Sequence, residues 1–158
     1  MTVRIAIQQE DFNLAEEYEW LRQISPAVGA VVTFSGLVRD FESTDGARNA
    51  IDSLSLQHYP GMTESLLQEI VDQAMRRWPL LGVTVIHRVG KLLPAEQIVF
   101  VGVASQHRAA AFEAAQCVMD YLKTRATFWK KVDQNGRENW VESKDSDQVA
   151  RQRWAADD

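Results

Sequence analysis

The sequence predicts an α+β fold with a largely antiparallel sheet. Three observations predict it. Strand-like segments come in adjacent pairs separated by single helical patterns, in the order β-α-β-β-α-β-β-α-β-β. The segment from about 106 to 125 is apolar over much of its circumference, as expected of a long buried helix. Near the C-terminal end, Asn135-Gly136 separates two strand-like runs, a strong short-range hairpin signal.

Each element has its own local reason. Val3, Ile5 and Ile7 alternate with polar residues, the period of a half-buried strand. Asn13 with Glu16 three residues on reads as a capping box, and Leu14, Tyr18 and Leu21 continue it as a short helix closed by Ser25-Pro26. Gly29 to Val38 is β-branched and aromatic, a buried strand. Arg39 to Asn49, polar and containing Asp45-Gly46, reads as a mobile loop. Residues 51–59 alternate again as a strand, and Pro60-Gly61 turns the chain. Thr63 is the expected N-cap of a helix through Trp78, with Leu67, Ile70, Val71, Ala74 and Trp78 as its apolar stripe. Val83–Val89 and Ile98–Ala104 are strands joined by the turn-rich GKLLPAEQ. After the long helix, Phe128–Val132 and Trp140–Glu142 form the arms of the Asn135-Gly136 hairpin. The polar tail, from about 144 to 158, is expected to dock through Val149 and Trp154.

The chain of 158 residues is read as a single domain, 1–158, because it has no linker, repeat or low-complexity tract. A net charge of -5, from 17 Lys+Arg against 22 Asp+Glu, argues against a general nucleic-acid binder and against adhesion to anionic membranes. The single cysteine excludes an internal disulfide framework and a cysteine-rich zinc site. No apolar run reaches the ~20 residues of a membrane span, and the N-terminus lacks a signal-peptide pattern, so a cytoplasmic location is expected.

The charge is uneven. Residues 101–131 hold Arg108, Lys123, Arg125, Lys130 and Lys131 against Glu113 and Asp120, a net of +3, so the rest carries -8. A solvated helix face would show the same composition. Two sub-segments point further, to an anion site. Ser105-Gln106-His107-Arg108 lies where a strand enters the long helix. Cations oppose the dipole there, whereas a bound anion would be shared by the N–H groups and both side chains. At the other end, YLKTRATFWKK places Lys123 at the helix C-terminus and Lys130 and Lys131 on a strand, where one of two neighbours faces inward. An inward lysine beside aromatic rings is desolvated, which lowers its pKa and suits it to acid–base or nucleophilic work. Arg39 sits at a strand–loop junction, where binding residues often lie. His58 and His87 fall in strand patterns and read as structural, and Cys117 as an inert buried thiol. From Arg108 to Lys123 is fifteen residues, about 22 Å of straight helix. One small substrate would not reach both ends, so a site using both draws them from two subunits of a homodimer.

The runs GAVVTFSGLVRD, LQHYPGMTE, VTVIHRVGKLLPAEQIVFVGVASQHRAAAFEA, MDYLKTRATFWKK and NWVESKDSD resemble the molybdopterin synthase catalytic (large) subunit, the MoaE family, over about residues 3 to 154. The resemblance implies a hammerhead-like α/β core with an additional antiparallel sheet. It implies a sulfurtransferase that converts cyclic pyranopterin monophosphate to molybdopterin. The sulfur comes from the C-terminal Gly-Gly thiocarboxylate of a small ubiquitin-like partner, in a heterotetramer built on a large-subunit homodimer. The family's catalytic lysines fall on Lys123 and Lys130, and its substrate-binding residues on Arg39, His107 and Arg108, the His-Arg pair coming from the neighbouring subunit. Lys131 is a further substrate-binding candidate. Thr127 stands where the family pattern has proline, and the 40–49 loop is somewhat long.

The implied chemistry suits these residues. An Arg-His cluster can hold the cyclic phosphate, and lysines can offset the repulsion when an anionic thiocarboxylate approaches. Lys123 or Lys130 can protonate the departing oxygen. The acyl tail then leaves to water or is captured on Lys123 as an acyl-lysine. No metal or redox cofactor is required. Two competing readings are a non-catalytic scaffold for a ubiquitin-like tail and a Schiff-base lysine enzyme.

Overall fold

The structure is a computed structural model that describes residues 2–141 and 145–155. In chain order its elements are β1 (Thr2–Gln8), α1 (Leu14–Gln23), β2 (Ala30–Leu37), β3 (Phe41–Thr44), β4 (Ala47–Ala50), β5 (Ser53–His58), α2 (Met62–Arg77), β6 (Leu80–Arg88), β7 (Gly90–Leu92), β8 (Gln97–Ser105), α3 (Arg108–Thr124), β9 (Phe128–Gln134), β10 (Arg137–Val141) and α4 (Asp145–Ala155).

Two four-stranded sheets carry the architecture. The first has the order β1-β6-β8-β2, and the second β10-β9-β5-β7. Every pairing in them is antiparallel except β1 with β6. The central strands β6 and β8 read LLGVTVIHR and QIVFVGVAS, nearly continuous apolar runs, because both faces of this sheet are covered. On one face Val83, Val85, Val99, Val101 and Val103 pack with Leu67, Ile70 and Val71 of α2 and Ala111, Ala114 and Val118 of α3. On the other, Ile86, Phe100 and Ala104 meet Leu21 of α1. Burying a side chain the size of Phe100 completely contributes about 1.5–3 kcal/mol. Gly102 lets α1 approach, since a Cβ there would collide with the Leu21 side chain and the Phe100 ring. The second sheet has its own smaller core of Val38, Ile51, Leu54, Leu56, Leu92 and Val132.

Several sequence expectations need correction. The segment read as a mobile loop contains a β3–β4 hairpin, a separate two-stranded ribbon. Asp45 and Gly46 take φ of 50° and 78° at its turn. They are the same kind of two-residue hairpin signal as Asn135-Gly136, whose φ values are 55° and 76°. The polar composition reflects a ribbon exposed along β4, not an absence of strands. Part of GKLLPAEQ is strand β7, which pairs with β5.

Thr63 is not the N-cap of α2. Gly61 holds that position, and its N–H donates to the Glu64 carboxylate at 2.6 Å. Thr63 is buried inside the first turn, where its Oγ1 accepts from the Tyr59 N–H at 3.0 Å. Asn13 does cap α1, accepting from the Ala15 N–H at 3.0 Å, while Glu16 accepts from the Asn13 amide. Of the two tail residues expected to dock, Trp154 is buried and Val149 is exposed. Residues 142 to 144 and 156 to 158, where the second hairpin arm and the polar tail were expected to extend, lie outside the described residues.

Candidate active site

A cavity of about 730 Å³ opens between the two sheets and the C-terminal end of α3. Residues 34–37 of β2, His87 of β6 and Val99 of β8 form one side, and Leu54, Leu56, Phe128, Lys130 and Val141 of the second sheet form the other. Lys123, Arg39, Thr124 and Asp147 complete the wall.

Each cation arrives for a local reason. Lys123 lies in the last turn of α3, where a cation complements the carbonyl end of the helix. Among the described residues no acceptor lies within hydrogen-bonding distance of its ammonium. Lys130 lies on β9 opposite Leu56 of β5, on the face that looks into the cavity. Its neighbour Lys131 alternates to the other face, where it pairs with Glu138 at 3.1 Å and lies over the Trp140 ring at 4.7 Å. Arg39 follows β2, with its guanidinium 5.6 Å from the Phe41 ring at the base of the β3–β4 hairpin.

The turn between the two lysines is anchored from outside. Thr127 Oγ1 lies 2.8 Å from Thr63 Oγ1, so it is tied to the start of α2. Arg125 is drawn away from the cavity by Gln73 at 2.8 Å and Glu69 at 3.4 Å. Helix α4 is held by Trp154, whose indole N–H donates to Asp120 at 2.6 Å, and by Arg77, which donates to the Trp154 carbonyl at 2.8 Å. That clamp sets Asp147 beside the cavity.

Thus one chain brings Arg39, Lys123 and Lys130 together, with Asp147 as the single carboxylate on the wall among the described residues. It does not bring His107 or Arg108 to them. Both are exposed at the far end of α3, Arg108 fifteen residues from Lys123 and about 22 Å along the axis, and His107 one residue further. His107 is the N-cap residue but makes no side-chain cap, and the first turn contains no acid. That helix end therefore presents its positive pole together with two basic side chains.

His87, which the sequence reads as structural, makes structural contacts and also lines the cavity. Its ring stacks on Phe128 with centroids 3.7 Å apart and planes 14° apart. Nδ1 donates to the Arg88 carbonyl at 2.8 Å. Burial pushes the imidazole down to about 4; the Arg88 hydrogen bond opposes this, and the charges of Lys123 and His58 add to it. The signal that could have found His87 is parity. It shares the odd-numbered face of β6 with Val83 and Val85, the face packed by α3.

The MoaE protein family model matches residues 7–125. The chain is 52% identical over 151 residues to the molybdopterin synthase catalytic subunit of Escherichia coli, covering 96% of this chain and 97% of that protein. It is 54% identical over 154 residues to the protein of the same name from Vibrio cholerae, covering 98% and 99%. Among solved structures, the molybdopterin biosynthesis MoaE protein of Burkholderia ambifaria superposes with a TM-score of 0.81 at 44% identity, covering 97% of this chain and 98% of that one. Molybdopterin synthase from Staphylococcus aureus superposes with a TM-score of 0.76 at 28% identity, covering 86% and 95%.

Proposed function

Because the chain belongs to the MoaE family, we propose that it is the catalytic subunit of a molybdopterin synthase. It is a sulfurtransferase that converts cyclic pyranopterin monophosphate to molybdopterin. The sulfur comes from the C-terminal thiocarboxylate of a small ubiquitin-like subunit. The observation that carries this reading is the cavity wall itself, where, among the described residues, Arg39, Lys123 and Lys130 outnumber the carboxylate of Asp147. Such a wall suits a reaction in which an anionic phosphate ester and an anionic thiocarboxylate must meet.

Lys123 and Lys130 are assigned the catalytic roles. At the cavity wall, their charges offset the repulsion when the thiocarboxylate approaches. As the phosphate ring opens, the departing oxygen takes a proton from one of them. Arg39 grips the phosphate in the bidentate manner available to a guanidinium. Its aromatic neighbour Phe41 supports the guanidinium plane. Lys131, paired with Glu138, serves substrate from the rim of the sheet rather than from the cavity.

His107 and Arg108 bind substrate across a homodimer seam, each pair completing the partner's cavity. The length of α3 supports this, since the helix separates them from their own Lys123. The small subunits then occupy the two ends of a heterotetramer, each with its C-terminal tail in a cavity. No helix of the described residues is long and apolar enough to cross a membrane. The cytosol is the compartment proposed, in keeping with a single cysteine that can form no internal disulfide.

The test is to mix this chain with thiocarboxylated small subunit and cyclic pyranopterin monophosphate and to weigh the pterin product. A product carrying two added sulfurs supports the reading. A stable complex without a dithiolene product overturns it.

A further inference from the structure

We infer that His87 is a specificity-determining residue that accepts a hydrogen bond from a ring N–H of the pterin through Nε2. The inference rests on the proposed substrate and deepens it. Its starting point is the donor and acceptor inventory of the cavity wall. Arg39, Lys123 and Lys130 can only donate. They suit phosphate and thiocarboxylate oxygens. A pterin also carries donors, the N–H groups of its pyrimidine and reduced pyrazine rings. Each such donor needs an acceptor when it leaves water, or costs about 1–3 kcal/mol unpaired.

Among the described residues the wall offers few side-chain acceptors. The Thr124 hydroxyl donates to the Asp120 carbonyl at 2.9 Å, which leaves its oxygen able to accept. Ser35 lines the same wall, and its buried Oγ has no hydrogen-bond partner among the described residues, so it is a second hydroxyl that can accept. Asp147 is a carboxylate, and its charge opposes an anionic substrate. Among the described lining residues, His87 is the neutral nitrogen acceptor. A carbonyl oxygen can only accept, so the contact with the Arg88 carbonyl assigns the ring proton to Nδ1. Nε2 then holds a lone pair, and no described residue occupies it. Stacking on Phe128 fixes the plane in which that lone pair lies.

The surroundings keep the ring uncharged. Lys123 from α3 and His58 from β5 face it, and burial disfavours its cationic form. Protonation at Nε2 would turn the acceptor into a donor, so a wall already rich in donors needs this ring neutral. His58 itself is engaged elsewhere, with Nε2 3.5 Å from the Glu64 carboxylate.

The experiment is steady-state turnover with thiocarboxylated small subunit, for wild type, His87→Phe and His87→Gln. Phenylalanine keeps a ring against Phe128 and loses the acceptor. Glutamine places its amide oxygen near the Nε2 position and restores one. The expected result for His87→Phe is a KM for the cyclic pyranopterin raised about tenfold, one unpaired donor's worth. Its kcat should stay within about twofold, and its KM for the small subunit should not move. His87→Gln should return the pterin KM to within about threefold of wild type. A pterin KM unchanged in His87→Phe, a loss confined to kcat, or no recovery in His87→Gln overturns the inference. Should the Phe variant fail to fold by circular dichroism, His87→Leu takes its place against His87→Gln with the same criteria. Wild-type turnover to a dithiolene product alongside an unmoved KM rejects the role of His87 alone. Absence of product from the wild type rejects the function on which it rests.

Discussion

His87 on β6 stacks face to face on Phe128 of β9 with centroids 3.7 Å apart, which joins the two sheets at the cavity. The pair lines the same cavity as Lys123, whose charge acts on the imidazole, and Lys130, two residues beyond Phe128. The aromatic contact therefore does two jobs. It joins the two sheets, and it holds the imidazole in the wall that Lys123 and Lys130 also line.

Replacing Lys123 with alanine is expected to lower sulfur transfer at least about a hundredfold, the scale of losing a positioned acid–base group. Lys123 is exposed and makes no hydrogen bond or ion pair among the described residues, so stability should change by less than about 0.5 kcal/mol. Product mass spectrometry with a urea melt of the same preparation checks both. Near-normal turnover would remove Lys123 from its assigned role.

Arg108→Ala and Lys123→Ala chains should complement each other. In a mixed dimer one site receives both intact residues and the other receives neither. Random mixing of the two chains should thus recover about a quarter of wild-type activity under two-fold symmetry. The measurement needs mixed dimers shown to form, by native mass spectrometry, and no recovery in them would mean that the sites are not shared.

Stability should fall on acidification through His87. Its folded pKa of about 4 lies below the ordinary 6.5, so the unfolded chain binds the extra proton between these values. The contribution is complete above pH 6.5, declines as pH falls, and is lost by pH 4, for a total of about 3 kcal/mol. Urea midpoints at pH 7, 5 and 4 measure it. The His87→Gln chain should lose less stability across this window, and an identical slope would show that other groups control it.

Thr127→Val should destabilise the fold by about 1 kcal/mol, because the hydroxyl–hydroxyl bond to Thr63 across 2.8 Å is lost while the Tyr59 N–H keeps its acceptor. Since that contact anchors the turn between Lys123 and Lys130, kcat should fall along with the melting temperature. The Thr63→Val chain should reproduce both effects, and Thr63→Val combined with Thr127→Val should cost less than the two together. Additive losses would show that the two hydroxyls act independently.

Local chemistry made much of this protein legible in its sequence. The alternation of β1, the cap at Asn13, the apolar stripe of α2 and the Asn135-Gly136 turn follow from interactions within a few residues, and each stands where those residues require it. The Asp45-Gly46 hairpin was equally local and was missed because polar residues suggested a loop. Strand β7, by contrast, exists only because β5 offers it an edge.

The sequence by itself determined which groups are available and how far apart they lie along the chain. The cations of the 101–131 segment, in a protein of net charge -5, and the length of α3 required nothing tertiary. Only the tertiary structure decided which cations share a cavity. Packing of β9 against β5, at the Leu56–Lys130 register, brings Lys130 to Lys123 and turns Lys131 away. Packing of β6 under α3 made a histidine with no motif around it part of the wall. The physical reason is that alternation limits a side chain to one of two faces, whereas what covers each face is set by residues far away in the chain.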